Sequence, residues 1–271
     1  MPRRVSISPV RDPLLYDTFL LPGGLAPRRV RVHVPSRGPT LKGERPALFL
    51  FDGQNVFDDA GSFSGGWYAH RAVDRLAAAG RIAPVVVAVD HGGEARIDEL
   101  SPFAVSRQSV ASGPPSRRVG SAGLLETLLG WMVGTLLPRV QRDFKTIAGP
   151  YGSAIGGSSM GGLAALWAHH RFPDAFGGAI SMSPSLWFAD RAIFADLAGR
   201  PRPPVSRIWL DCGAREAGGR MVHVVAEMAK LLASRGYDPD HLHFFADPRG
   251  GHDEASWRRR LPRVLRFMYR S

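Results

Sequence analysis

The sequence predicts an α/β protein: a mostly parallel, twisted sheet with helices on both faces and an antiparallel pair of strands at its N-terminal edge. Three observations predict it. Short apolar runs recur through the chain at residues 47–51, 84–89, 176–182 and 206–213. Between them lie stretches with apolar residues at helical spacing, so strand and helix alternate as parallel crossovers require. Near the start, Arg29-Val30-Arg31-Val32-His33-Val34 instead alternates polar and apolar, the period of a strand with one wet face.

Taken in order, residues 16–35 read as a hairpin at a sheet edge, with Pro22-Gly23-Gly24 as its turn. A glycine- and proline-rich loop covers 36–46. Ala47-Leu48-Phe49-Leu50-Phe51 is apolar throughout and stops at Asp52-Gly53, as a strand buried on both faces does. Residues 68–80 carry Ala72, Val73, Leu76 and Ala77 at helical spacing, and 84–89 form another buried strand ending at Asp90-His91-Gly92-Gly93. A polar loop rich in Ser, Arg, Gly and Pro is expected over 94–123, a length that points to function or disorder. A long helix is expected over 123–144. Ser153-Ala154-Ile155 ends a short strand, 163–168 opens a helix bounded by Pro173, and 176–182 is the next strand. Strand 206–213, a helix over 221–236 with Val225, Met228, Leu231 and Leu232 inward, strand 241–245 and a closing helix over 255–269 complete the pattern. With no repeat and no linker, residues 1–271 read as one domain, 1–15 being an N-terminal extension.

Composition narrows the function classes. The formal net charge is +11, which raises nucleic-acid binding as a possibility. Of the 35 basic residues only Lys42, Lys145 and Lys230 are lysines, and the arginines are spread over the whole chain. No lysine-rich tail, zinc-ligand spacing or aromatic RNA-binding signature gathers them, so neither a nucleic acid nor a membrane is expected as partner. Some of these arginines could instead line a site for an anionic substrate. Cys212 is the only cysteine, which excludes an intrachain disulfide. Met1-Pro2-Arg3-Arg4 has no apolar segment after it, so no signal peptide is read and a cytoplasmic location is expected. The most apolar stretch, 124–137, is too short to span a bilayer.

The chemistry centres on Gly156-Gly157-Ser158-Ser159-Met160-Gly161-Gly162. It contains a G-x-S-x-G pattern around Ser159, set between a strand and a helix. That setting exposes a serine hydroxyl on a sharp turn above the sheet edge. A serine needs a base, and the base needs a carboxylate behind it, in the chain order serine, acid, histidine. His252, in Pro248-Arg249-Gly250-Gly251-His252-Asp253 after the last strand, fits the base better than the helical or strand histidines. Glu216, in the loop after strand 206–213, is the preferred acid, with Asp211 in reserve because it still lies in the strand. Two backbone amides should face the developing oxyanion: Met160 at the helix start and Gln54 in the turn after strand 47–51, with Asn55 as the alternative. His241-x-His243 lacks a third ligand nearby, so no metal site is expected.

Together, Phe51-Asp52-Gly53-Gln54-Asn55, the serine motif, Ser181-Met182-Ser183-Pro184-Ser185-Leu186-Trp187, Gly213-Ala214-Arg215-Glu216 and Gly250-Gly251-His252-Asp253-Glu254-Ala255-Ser256-Trp257 carry a resemblance. The chain resembles, over roughly residues 16–270, the putative esterase family of α/β-hydrolases. That branch includes esterase D, enterochelin esterase, some feruloyl esterases and the mycolyltransferases. The resemblance implies an α/β-hydrolase fold and a serine esterase acting on carboxylic esters without metal or cofactor. Ser159 matches the family's nucleophile, His252 its base and Glu216 its acid. The turn Asp52-Gly53 is closer to the enterochelin esterase type than to the His-Gly turn of many α/β-hydrolases, while the separate N-terminal domain of enterochelin esterases has no counterpart here. Trp187 is expected to wall the pocket, and Asn55 and Arg96 to contact a small ester, one whose acyl group is acidic or aromatic. The rival readings are an acyltransferase on the same site and a binding protein on a catalytically dead scaffold.

Overall fold

The computed structural model describes residues 14–62, 64–105 and 123–270. Its frame is an eight-stranded sheet in the order β1-β2-β4-β3-β5-β6-β7-β8. The strands are β1 (Leu14–Phe19), β2 (Arg28–His33), β3 (Ala47–Leu50), β4 (Val85–Val89), β5 (Ser153–Ser158), β6 (Gly178–Met182), β7 (Arg207–Gly213) and β8 (Leu242–Asp247). β1 and β2 pair antiparallel, β2 meets β4 antiparallel, and every pair from β4 to β8 is parallel. The expected α/β-hydrolase architecture with its antiparallel N-terminal edge is therefore present.

Side-chain alternation along the central strands divides the core in two. Phe49, Val87, Ile155, Ile208 and Leu210 face one side. There they pack on α3 (Leu125–Trp131), α4 (Leu137–Phe144), α5 (Met160–Arg171), α6 (Phe188–Ala198) and α7 (Arg220–Ser234). Leu48, Leu50, Val86, Ala88 and Trp209 face the other, against α1 (Ala69–Ala78) and α8 (Glu254–Met268). Both faces are covered, which is why these strands read as unbroken apolar runs.

Three expectations need amendment. The loop expected over 94–123 starts as a 3-10 turn, Gly93–Ala95, and a short helix, α2 (Arg96–Glu99). Glu99 anchors it, accepting from the Gly92 amide (2.8 Å) and pairing with Arg28 on β2 (2.6 Å). Residues 106–122 of that expected loop lie outside the described residues. The helix expected over 123–144 is α3 and α4 joined by a π-helical turn, Met132–Leu136. Pro138, in the first turn of α4, has no N–H and its ring would crowd the Gly134 carbonyl; the widened turn relieves both. Finally, α6 was not expected at all. It opens through left-handed residues Ala189, Asp190 and Arg191 and buries only Ile193 and Leu197, too few to show as a periodic face.

Among the described residues no helix is long and apolar enough to cross a membrane.

The Arg28–Glu99 pair is almost wholly buried, at 1% exposure for each side chain, so neither partner can turn to water if the other is lost. Glu99→Ala should cost roughly 3–5 kcal/mol of stability, read as a fall in the urea midpoint, because it strands the guanidinium and frees the Gly92 amide.

Candidate active site

Ser159 stands between the end of β5 and the start of α5 with φ 56° and ψ −120°, a backbone that a serine adopts only under constraint. The constraint is supplied by hydrogen bonds on both sides. The Ser159 amide donates to the Met182 carbonyl of β6 (3.0 Å), and its own carbonyl accepts from the amides of Ser185 (3.0 Å), Gly162 and Leu163 (both 3.1 Å). The turn closes only because glycine flanks it. A Cβ on Gly157 would lie 2.7–2.9 Å from three backbone atoms of Gly161, and one on Gly162 would lie 2.9 Å from the Met182 carbonyl oxygen.

His252 comes from the loop between β8 and α8, and Glu216 from the loop after β7. Backbone bonds tie the two loops together: Ala214 N–H to the Asp247 carbonyl (2.8 Å) and Arg215 N–H to the Gly250 carbonyl (3.1 Å). Asp253 then caps α8, its carboxylate accepting from Ser256 N–H (2.7 Å), which fixes the chain on the far side of His252. The imidazole Nε2 lies 3.0 Å from Ser159 Oγ, and Nδ1 lies 2.8 Å from Glu216 Oε2. Exposure rises from the buried glutamate, at 1%, to the imidazole, at 41%. Three side chains far apart in sequence meet above the carboxyl ends of the parallel strands.

Asp211 lies elsewhere. It is wholly buried within β7 and accepts from Arg260 Nη2 (3.0 Å), Trp209 Nε1 (2.9 Å) and the Ser183 amide (3.3 Å). Burial pushes its carboxyl up, and the adjacent Arg260 opposes that. Glu216 rather than the reserve acid Asp211 is the carboxylate that meets the imidazole. Cys212 beside it is buried, its thiol pushed up to about 12 chiefly by burial, and offers no rival nucleophile.

On the opposite side of Ser159, Asp52 is held at φ 56° and the turn Gly53–Asn55 follows as a 3-10 helix. Arg96, expected to contact substrate, grips the Asp52 carboxylate with two prongs, Nε to Oδ1 at 2.6 Å and Nη2 to Oδ2 at 2.7 Å. The Asn55 amide donates to the Asp52 carbonyl (2.9 Å), and its side chain donates to Glu254 Oε1 (3.1 Å). Ser64 hydrogen-bonds the other Glu254 oxygen, and burial raises the Glu254 carboxyl above its ordinary value. The Gln54 side chain brackets the His91 backbone, accepting from its N–H (3.1 Å) and donating to its carbonyl (3.4 Å). Met160 opens α5 beneath Ser159, its side chain buried and its amide at the positive end of a twelve-residue helix. Trp187 follows Ser185, whose hydroxyl is 3.3 Å from Ser159 Oγ, and stays 41% exposed with its ring against Phe188. Among the described residues no group of three His, Cys, Asp or Glu side chains could hold a metal ion. His243 stacks on Trp209, and His241 pairs with Asp238.

Sequence reasoning missed Ser183, Ser185, Trp257 and Arg260, which pack around Glu216 and Ser159. Ser183, Ser185 and Trp257 fall inside the quoted motifs, but nothing in their spacing marks a role. Arg260 is one arginine among many.

The sheet order, the serine turn and the clustered side chains define an α/β-hydrolase of the esterase class. Residues 26–268 match the family model described as Putative esterase, and the chain belongs to that family. It is thereby a carboxylic ester hydrolase. The chain is 21% identical over 248 residues to the uncharacterized protein YbbA of Bacillus subtilis, covering 89% of this chain and 92% of that protein. It is 26% identical over 235 residues to the iron(III) enterobactin esterase of Dickeya dadantii, covering 79% of this chain but only 46% of that longer protein. Among solved structures, the BES protein from Bacillus cereus shares the fold with a TM-score of 0.74 at 18% identity, each chain being covered completely.

Gly157→Ala should damage the serine turn directly, since the clashing atoms are backbone and cannot swing away. The expected outcome is a loss of about 1–3 kcal/mol in stability together with most esterase turnover, measured by thermal melting and ester hydrolysis on the same preparation.

Proposed function

We propose that the ester is cleaved through an acyl-serine intermediate formed on Ser159, with His252 as general base and acid and Glu216 as the carboxylate that orients it. The observation that carries this reading is the chain of two contacts, Ser159 Oγ to His252 Nε2 at 3.0 Å and His252 Nδ1 to Glu216 Oε2 at 2.8 Å. Attack of Oγ on the ester carbonyl passes the serine proton to Nε2. Glu216 stabilises the imidazolium, and collapse of the tetrahedral intermediate returns that proton to the leaving alkoxide. Water then repeats the sequence on the acyl-enzyme.

The oxyanion is assigned to the amides of Met160 and Gln54. Asn55 is the weaker candidate because its amide is already given to the Asp52 carbonyl. The bidentate Arg96–Asp52 pair supports this assignment by bracing the turn that carries Gln54. Arg96 acts on substrate only at the margin of that pairing, which favours an ester recognised by its aromatic or apolar acyl group over one recognised by charge. Trp187, partly exposed beside Ser185, is the surface against which such a group would lie. The Dickeya relative is named an iron(III) enterobactin esterase, and enterobactin is accordingly a substrate to test beside small aromatic acyl esters.

Ser159→Ala should retain the wild-type circular dichroism spectrum while hydrolysis of a short p-nitrophenyl ester falls at least about 10³-fold. A fluorophosphonate probe should label the wild type and leave that variant unlabelled. Retained turnover in Ser159→Ala would refute the assignment; failure of the wild type to label would favour a dead scaffold. Product analysis with an added alcohol separates hydrolysis from acyl transfer.

A further inference from the structure

Glu216 offers one oxygen to the imidazole, and the structure accounts for why it is always the same one. Oε1 accepts from the Gly213 amide (2.6 Å) and from the Ser183 hydroxyl (2.6 Å). Ser183 Oγ in turn accepts from Trp257 Nε1 (3.0 Å) and from Arg260 Nη2 (2.9 Å). An indole N–H and a guanidinium N–H can only donate. Between them they fill both lone pairs of the hydroxyl, so its single hydrogen is left for Glu216 Oε1. The second hydrogen of Arg260 Nη2 goes to Asp211 Oδ1 (3.0 Å), which holds the guanidinium in place. Ser183, Asp211, Glu216, Trp257 and Arg260 are all buried, so water does not compete for these bonds.

We infer that Ser183 is a positioning residue for the reaction, its hydroxyl locked by Trp257 and Arg260 so that Glu216 presents Oε2 to the imidazole and nothing else. The inference rests on the catalytic roles proposed above for Ser159, His252 and Glu216. Its consequence is a defined proton arrangement. With two donors on Oε1, that oxygen cannot itself carry a proton, and Oε2 receives the hydrogen on His252 Nδ1. Nε2 is then the bare nitrogen that faces the serine. Asp211, one of the two acids that sequence reasoning weighed, acquires a different job: it fixes the arginine that fixes the serine.

The backbone of Ser183 is left-handed, at φ 43°, and alanine meets the same backbone cost, so Ser183→Ala isolates the hydroxyl. The expected result is a roughly 10- to 100-fold fall in kcat with KM within about twofold. The downfield proton resonance of His252 Nδ1–H should move or broaden with it, a signature that a packing role alone leaves in place. Trp257→Phe keeps a ring against His252, now 5.2 Å away edge-on, and removes one of the two donors. It should give a smaller loss in kcat, of about threefold or more, with a shifted resonance. Folded Ser183→Ala with wild-type kcat and an unmoved resonance overturns the inference. Should that variant fail to fold, Trp257→Phe decides by the same two readouts. Ser159→Ala run alongside separates the two levels: if it stays active the catalytic reading itself falls, whereas an inactive Ser159→Ala beside a fully active Ser183→Ala sinks only the role of Ser183.

Discussion

A serine bent into φ 56°, ψ −120° is the constraint on which the rest of this site depends. Such a backbone costs on the order of 1–3 kcal/mol and persists only where its surroundings over-determine it. Here β6 holds the amide of Ser159, the first turn of α5 and the Ser185 amide hold its carbonyl, and two glycines admit the close approach. α5 itself is buried along almost its whole length, so the turn has no route to relax by tilting the helix. The strain lifts the hydroxyl clear of the sheet and keeps it where the imidazole arrives.

Polarity around that hydroxyl is graded by depth. The carboxylate behind the imidazole is buried and saturated with donors, and the imidazole is half in solvent, where it can exchange a proton. Beyond the carboxylate, the Arg260–Asp211 pair is buried with its charges matched. A buried ion pair of this kind is weak evidence for stability, because desolvation offsets most of the attraction. Its value lies in orientation: it leaves one geometry open to the groups in front of it. The Arg96–Asp52 pair does similar service on the other flank, stiffening the turn that carries Gln54.

The sheet and the positions of Ser159, Glu216 and His252 were legible in the sequence for physical reasons. Strands covered on both faces must be apolar throughout, and a serine on a strained turn must have glycine beside it. An imidazole that has to reach back over the sheet needs a loop such as Gly250-Gly251 before it. Glu216 was preferred over Asp211 because Asp211 still lies in the strand, but both sit near the same strand end, and only coordinates tell which carboxylate meets the imidazole. α6 escaped notice because its first residues are left-handed and its apolar face is two side chains wide. The pairing of Arg96 with Asp52 could not be read either, since 44 residues separate them and either could equally have faced solvent.

The two flanks of Ser159 are anchored at opposite ends of the chain. Its Gln54 side leans on Asp52 and Arg96, and α2, which carries Arg96, is pinned through Glu99 to Arg28 of β2. Its His252 side leans on Trp257 and Arg260 of the C-terminal helix. The surroundings of Ser159 therefore depend on contacts from both halves of the chain rather than on one loop. Loosening either anchor is expected to disturb the surroundings of Ser159 while most of the helices and the middle of the sheet are still formed, which would make turnover a finer gauge of nativeness than any spectroscopic average over the backbone.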